Sequence, residues 1–295
     1  MTTETLTTTN GEKQLIYSVK SNTPWQKIEV RSSNDMPTVW ENHIQRYGSL
    51  VTLKGWKEDV LCIPKDEEIN LDKRLEFSVT TSYHAQMVRD HGMDDVRPVT
   101  VQGVVLTSDG TIVLGVRGGF IQNGKVSMIP LGYVVAPLIT DKDSNPLLQQ
   151  FYTESEEELG INKDQYRKVE LIGYQTDPKF THGINFVVSA LTSLSEKEVR
   201  EIRDTSFRIY KEAHDRILNE TSDKRKARSA AKQAVLSAGY KNCDIDHDPM
   251  IFARNGNDNI EQMISKGSLS HEERTFHLMA LCRGGLRLYQ KQIQE

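Results

Sequence analysis

Thr153-Glu154-Ser155-Glu156-Glu157-Glu158-Leu159-Gly160-Ile161 is the stretch on which the fold turns. Glu154, Glu157 and Glu158 stand at i, i+3 and i+4, so a helix puts all three carboxylates on one face. Like charges at that spacing repel, at roughly a few tenths of a kcal/mol per pair. A hard cation removes the repulsion, because Mg²⁺ takes carboxylate oxygens, often together with substrate phosphates. A solvated acidic face is the other reading of the same residues, and the surrounding sequence weighs between them.

Upstream, Val101-Gln102-Gly103-Val104-Val105-Leu106 reads as a buried strand, Ser108-Asp109-Gly110 as a turn, and Thr111 to Val116 as a second strand. Arg117-Gly118-Gly119 ends that strand, and Ser127-Met128-Ile129-Pro130-Leu131-Gly132-Tyr133 follows. Asn145-Pro146 is a helix start, with Asn at the N-cap and Pro at the first helical position. Leu148, Tyr152, Ser155 and Leu159 form a mostly apolar stripe at helical spacing, and Gly160 fits a C-terminal stop. This reading puts the acidic face away from the packed stripe and beside a glycine-bearing loop.

With these residues in place, the segment from about Val99 to Ile161 resembles the Nudix hydrolase family. The family's motif runs Gly, five residues, Glu, seven residues, then Arg-Glu-apolar-x-Glu-Glu-x-Gly-apolar. Gly132 matches the opening Gly, Glu154 the Glu of the Arg-Glu pair, Glu157 and Glu158 the Glu-Glu pair, and Gly160-Ile161 the ending. The resemblance implies that these glutamates hold the Mg²⁺ or Mn²⁺ that activates water and bridges a diphosphate. The chain departs from the motif in four places. Thr153 stands where the family has Arg, so the salt bridge that orients a metal-binding Glu is missing, and Ser155 replaces an apolar residue. Gly132 lies 21 residues before Thr153, a loop seven residues longer than the family's, and no Glu lies between them.

The outer segments are similar to the branch of that family that acts on UDP-glucose and UDP-galactose. Pro37-Thr38-Val39-Trp40-Glu41, Val79-Thr80-Thr81-Ser82-Tyr83-His84 and Arg283-Gly284-Gly285-Leu286-Arg287-Leu288-Tyr289 carry that similarity through their order along the chain. The implied fold class is α+β: a Nudix α/β/α sandwich with a mixed sheet, an N-terminal β-rich region and a helical insertion.

The expected organisation is a disordered, Thr-rich tail over 1–12, a β-rich region over 13–96 and a Nudix domain over 97–295. Strands are expected at 15–19, 26–30, 50–53, 60–63 and 75–79, and a helix at 83–91. In the Nudix domain, 168–174, 183–190 and 248–253 read as strands, and about 272–291 as a closing helix. Val199, Ile202, Ser206, Ile209, Ala213 and Ile217 recur at helical spacing, and a second helix spans about 224–237. This pair forms an insertion at about 195–240. Its cluster Lys224-Arg225-Lys226-Ala227-Arg228 reads as a solvated face or an anion site.

The chain of 295 residues, 37% hydrophobic and 26% charged, has the composition of a globular protein. A net charge of −4 gives no footprint for nucleic acid. No apolar run approaches the roughly 18 to 20 residues that span a bilayer, and the N-terminus has no signal-peptide core. Cys62, Cys243 and Cys282 are odd in number and far apart, which fits buried thiols and a cytoplasmic location.

Three further residues or runs are candidates for chemistry. Arg117 ends a strand at the presumed cleft, where a planar guanidinium suits bidentate diphosphate contact; a surface salt bridge is the alternative. His182, in Lys179-Phe180-Thr181-His182-Gly183, is a substrate-contact candidate or an ordinary loop histidine. Asp244-Ile245-Asp246-His247-Asp248 is a late catalytic base, an extra metal ligand or a solvated loop.

Two functions are carried forward. In the first, the chain is an Mg²⁺- or Mn²⁺-dependent pyrophosphohydrolase of a nucleoside diphosphate linked to another group, by resemblance a UDP-sugar. Its partner is then a small molecule, not a nucleic acid or a membrane, and the extra regions are compatible with a homodimer. In the second, Thr153 and the absent upstream Glu mark a protein that keeps the fold and binds a nucleotide without turnover.

Overall fold

A computed structural model gives the structure of the chain and describes residues 2–7, 13–18, 28–30, 59–64, 69, 75–81, 85, 96–117, 124–135, 145–176, 183–241, 247–271 and 274–294. Among the described residues, twelve strands form one mixed sheet and two more form a separate hairpin. The spine is β6 (Val96–Leu106), which pairs in parallel with β11 (Ile184–Thr192) from Val99↔Ile184 to Leu106↔Leu191. On one side β11 pairs antiparallel with β10 (Tyr166–Thr176), and β10 with β2 (Lys13–Ser18). On the other side β6 meets β4 (Asp59–Pro64), β9 (Leu131–Tyr133) and β7 (Thr111–Arg117) in turn. The strand β8 (Val126–Met128) pairs with β7 and runs on into β9; β12 (His247–Arg254) pairs with the other edge of β7.

Alternation along β6 assigns the two faces. Val99, Val101 and Val105 enter one core with Phe186, Val188, Leu147, Phe151 and Leu159, whereas Val104 and Leu106 enter the other with Val187, Leu114, Leu286 and Tyr289. The first core lies under α1 (Pro146–Glu158), and the second under α4 (Asn257–Lys266) and α5 (Ala280–Gln294). The fold is thus mixed α and β, with helices on both faces of a large mixed sheet. Each fully buried Leu or Phe contributes about 1.5–3 kcal/mol to that packing.

The insertion is a helical hairpin, α2 (Glu196–Thr221) and α3 (Lys224–Ser237), between β11 and β12. Its start is fixed by a capping box: Ser195 Oγ accepts the Glu198 N–H, and Glu198 Oε2 accepts the Ser195 N–H at 2.7 Å. Tyr210, Ala213, Ala231 and Val235 give the hairpin a small core of its own.

Several expectations need correction. The disordered tail fails for Thr2–Thr7, which forms strand β1, in register with β2 from Thr2↔Ser18 to Thr7↔Lys13. Its β-branched threonines favour an extended backbone, and Leu6 on the inner face is buried. Within the β-rich region, β2 pairs with β10 and β4 with β6, in the one sheet. The closing helix starts at Ala280 rather than 272, and a hairpin, β13 (Ser268–His271) with β14 (Arg274–His277), precedes it. The strand β3 (Ile28–Val30) pairs in parallel with β5 (Leu75–Thr81), while the strand expected at 50–53 lies outside the described residues. So do 37–41 and all of the helix expected at 83–91 except Ala85, which is helical. Cys62 and Cys282 are buried thiols, and burial pushes the Cys282 thiol well up. No described helix is long and apolar enough to cross a membrane.

Candidate functional site

The helix α1 begins as its sequence dictates. Asn145 Oδ1 accepts the N–H groups of Leu147 at 2.9 Å and Leu148 at 3.4 Å, and Pro146 follows the cap. Gly160 takes the left-handed conformation, φ +73°, just past its end. The charge distribution is unfavourable by contrast. Glu154, Glu156, Glu157 and Glu158 crowd the last turns, and no basic residue joins them there. Carboxylates at a helix C-terminus oppose the macrodipole by about 0.3–1 kcal/mol each, in addition to repelling one another.

The buried side of α1 carries Leu147, Gln150, Phe151, Ser155 and Glu158. This corrects the expected stripe. Leu148 and Tyr152 are only half-buried, and Leu147 and Phe151 take the central places. The acidic face is therefore not turned away from the packing: Glu158 is 5% exposed, Glu154 is half-buried and Glu157 is exposed.

The Gly132 segment lies against two of the three acids. Gly132 lies in the middle of β9, opposite Val101. A Cβ built on it would stand 1.9 Å from Glu154 Oε1, so only glycine admits the carboxylate there. Glu158 Oε2 accepts the Leu131 N–H at 3.1 Å. Gln150 Nε2 donates to Glu154 Oε1 at 2.7 Å, and Gln150 Oε1 accepts the Val135 N–H at 3.0 Å. Glu156 Oε2 meets Lys241 Nζ at 2.8 Å, at the exit of the helical hairpin. These contacts offset part of the repulsion that the bare sequence implies.

A second tie anchors the end of α1. Ser155 Oγ donates to the Ile161 carbonyl at 3.1 Å and accepts from the Tyr166 hydroxyl at 2.5 Å. Tyr166 is packed against Phe151 and Tyr152, and burial pushes its hydroxyl well above the usual phenol range. The sequence marks Ser155 only as a departure from an apolar position; its partner shows that the hydroxyl is used.

The other candidates stand elsewhere. Arg117 ends β7, opposite His247 of β12, and its N–H donates to the Lys125 carbonyl at 2.9 Å. Its Nε is buried and has no hydrogen-bond partner among the described residues. The structure brings Gly132 against Glu154 and its neighbour Leu131 against Glu158; Arg117 stands at the end of β7, whose partner β8 runs on into β9. His182 lies outside the described residues, as do 242–246. Gln150 is the residue of this site that sequence reading missed, although its i−4 spacing from Glu154 was available.

Three carboxylates of this kind are the donor type that a hard divalent cation takes. Among the described residues, however, no three His, Cys, Asp or Glu side chains converge as placed. The chemistry of the donor set fits such a cation, while Glu154 and Glu158 each commit one oxygen to the protein.

No protein-family model matches the chain, and no curated protein matches it. The crystal structure of Tm1382, a presumptive Nudix hydrolase, is similar over 50% of this chain and 90% of that one, at 14% identity and a TM-score of 0.32. A likeness of that size carries no argument about fold or function, and both rest on the chain's own residues.

Proposed function

We propose that this chain is a divalent-metal-dependent Nudix-type hydrolase of a diphosphate bond, acting on a nucleoside diphosphate joined to a second group. A UDP-sugar is the substrate that the order of the outer segments favours. One observation carries the reading: despite the long loop, Gly132 lies against the Glu154 carboxylate and its neighbour Leu131 donates to that of Glu158. The lengthened loop therefore leaves the two halves of the motif joined.

A cation held by Glu154, Glu157 and Glu158 would offset diphosphate charge and lower the pKa of an attacking water. The chain's residues supply the rest. Glu154 and Glu158 are fixed against β9, so their orientation is set before substrate arrives. The Nε of Arg117, buried and without a partner among the described residues, is a donor suited to a phosphate oxygen. One of the three glutamates, or an acid elsewhere, accepts the water proton. Water then bonds to one phosphorus as the bridging P–O bond breaks, which gives a nucleoside monophosphate and a sugar phosphate.

A second reading is a nucleotide-binding protein without turnover. It is favoured by Thr153 in place of an arginine and by the lack of a convergent three-donor set among the described residues. UDP-sugars, ADP-ribose, dinucleotides and nucleoside triphosphates incubated with Mg²⁺ or with EDTA separate the two. EDTA-sensitive release of UMP from a UDP-sugar supports the first; saturable binding with no product from any compound supports the second.

A further inference from the structure

Gln150 stands one turn before Glu154, is 2% exposed, and uses both ends of its amide. The orientation of that amide is dictated by its partners. The Val135 N–H can only donate, so the group facing it is the oxygen; an ionised carboxylate can only accept, so the group facing Glu154 is the nitrogen. The oxygen of Glu154 that receives this bond is the one that would collide with any side chain at Gly132. Glu154 Oε1 is thus held between a buried amide anchored on the backbone after β9 and the bare Cα of β9 itself.

We propose that Gln150 is the positioning residue of Glu154. By committing Oε1 to the protein, it fixes how the carboxylate is presented to a divalent cation carrying a diphosphate. This inference rests on the proposed function and deepens it. A neutral amide suits the task, since it orients the carboxylate without cancelling the charge that binds the cation, as a lysine or arginine would partly do.

Gln150 has two bonds, and two substitutions separate them. Gln150→Leu removes both. Gln150→Met keeps a weak acceptor for the Val135 N–H, the thioether sulfur, and removes the donor to Glu154. The experiment titrates the full chain with Mn²⁺, reads free Mn²⁺ by electron paramagnetic resonance, and checks folding by circular dichroism. Both variants are expected to bind Mn²⁺ about 10- to 100-fold more weakly than the parent while remaining folded. A role confined to tying α1 to Val135 would spare Gln150→Met. Parental affinity in Gln150→Met, or in a folded Gln150→Leu, overturns the proposal and leaves the proposed function standing. A parent chain that neither binds Mn²⁺ nor cleaves any diphosphate overturns the proposed function, and the positioning role falls with it.

Discussion

The Glu158 carboxylate accepts the amide hydrogen of Leu131 at 3.1 Å, across 27 residues of chain. It joins the last turn of α1 to the first residue of β9 and stands almost wholly buried. Under the proposed function the same group would also hold a metal, and substitution divides the two roles. Glu158→Gln keeps an acceptor oxygen, so its stability should stay within about 1 kcal/mol of the parent, while metal-dependent hydrolysis is lost. Glu158→Ala leaves the Leu131 N–H without this acceptor and should cost a further ~1–3 kcal/mol. Urea unfolding set beside a product assay reads both effects. Full activity in Glu158→Gln would remove this residue from the metal set.

Gly132→Ala tests the contact between strand and carboxylate. The added methyl would start 1.9 Å from Glu154 Oε1, so the carboxylate must move by an ångström or more. A displacement of that size is expected to lower kcat by about 100-fold. The circular dichroism spectrum should be unchanged. Parental kcat would mean that the position of Glu154 is immaterial to turnover.

Tyr166→Phe removes the hydroxyl that donates to Ser155 and leaves the aromatic packing in place. Ser155 Oγ keeps its bond to the Ile161 carbonyl, so the loss should be about 1 kcal/mol in urea unfolding. A null effect would show that the hydroxyl pair does not hold the end of α1.

Asp109 gives a pH-dependent test on the other side of the molecule. Its carboxylate accepts from Thr107 Oγ1 at 2.5 Å and from the Glu196 N–H at 3.1 Å, at the first residue of α2. The Thr107 hydroxyl is the main cause that holds its pKa below the usual value, and the Glu196 N–H adds to it. A pKa lowered by folding means a contribution that is complete above the unfolded value, near 4, and lost as pH falls through the folded value. Asp109→Asn should therefore unfold slightly before the parent at pH 7, by less than about 1 kcal/mol at this exposed site. The two should converge below about pH 4. A gap that persists at pH 3 would assign the effect to something other than the charge of Asp109.

The strong periodic signals survive contact with the structure, and the weaker ones fail for identifiable reasons. The unbroken apolar run of β6 and the Asn145-Pro146 start of α1 are visible in sequence because each depends on its own neighbours. The packed side of α1 is not, because Leu147–Phe151 and Leu148–Tyr152 offer two adjacent apolar stripes and only the sheet beneath chooses between them. The stripe through Leu148 and Tyr152 puts Glu158 outward, yet a backbone N–H that no sequence pattern announces draws it inward. Gln150 looks like an ordinary polar helix residue until both ends of its amide are seen to be occupied.

The pairing of β2 with β10 also has a kinetic side. Gln14 Nε2 bonds Gln175 Oε1 at 2.7 Å, across 161 residues. During synthesis the first strands must wait for β10 before their place in the sheet exists. Until then a Thr-rich hairpin with bare edges is exposed to other nascent chains. Contacts this distant in sequence slow folding, so the vulnerable interval for this protein is the time its ribosome takes to reach Gln175.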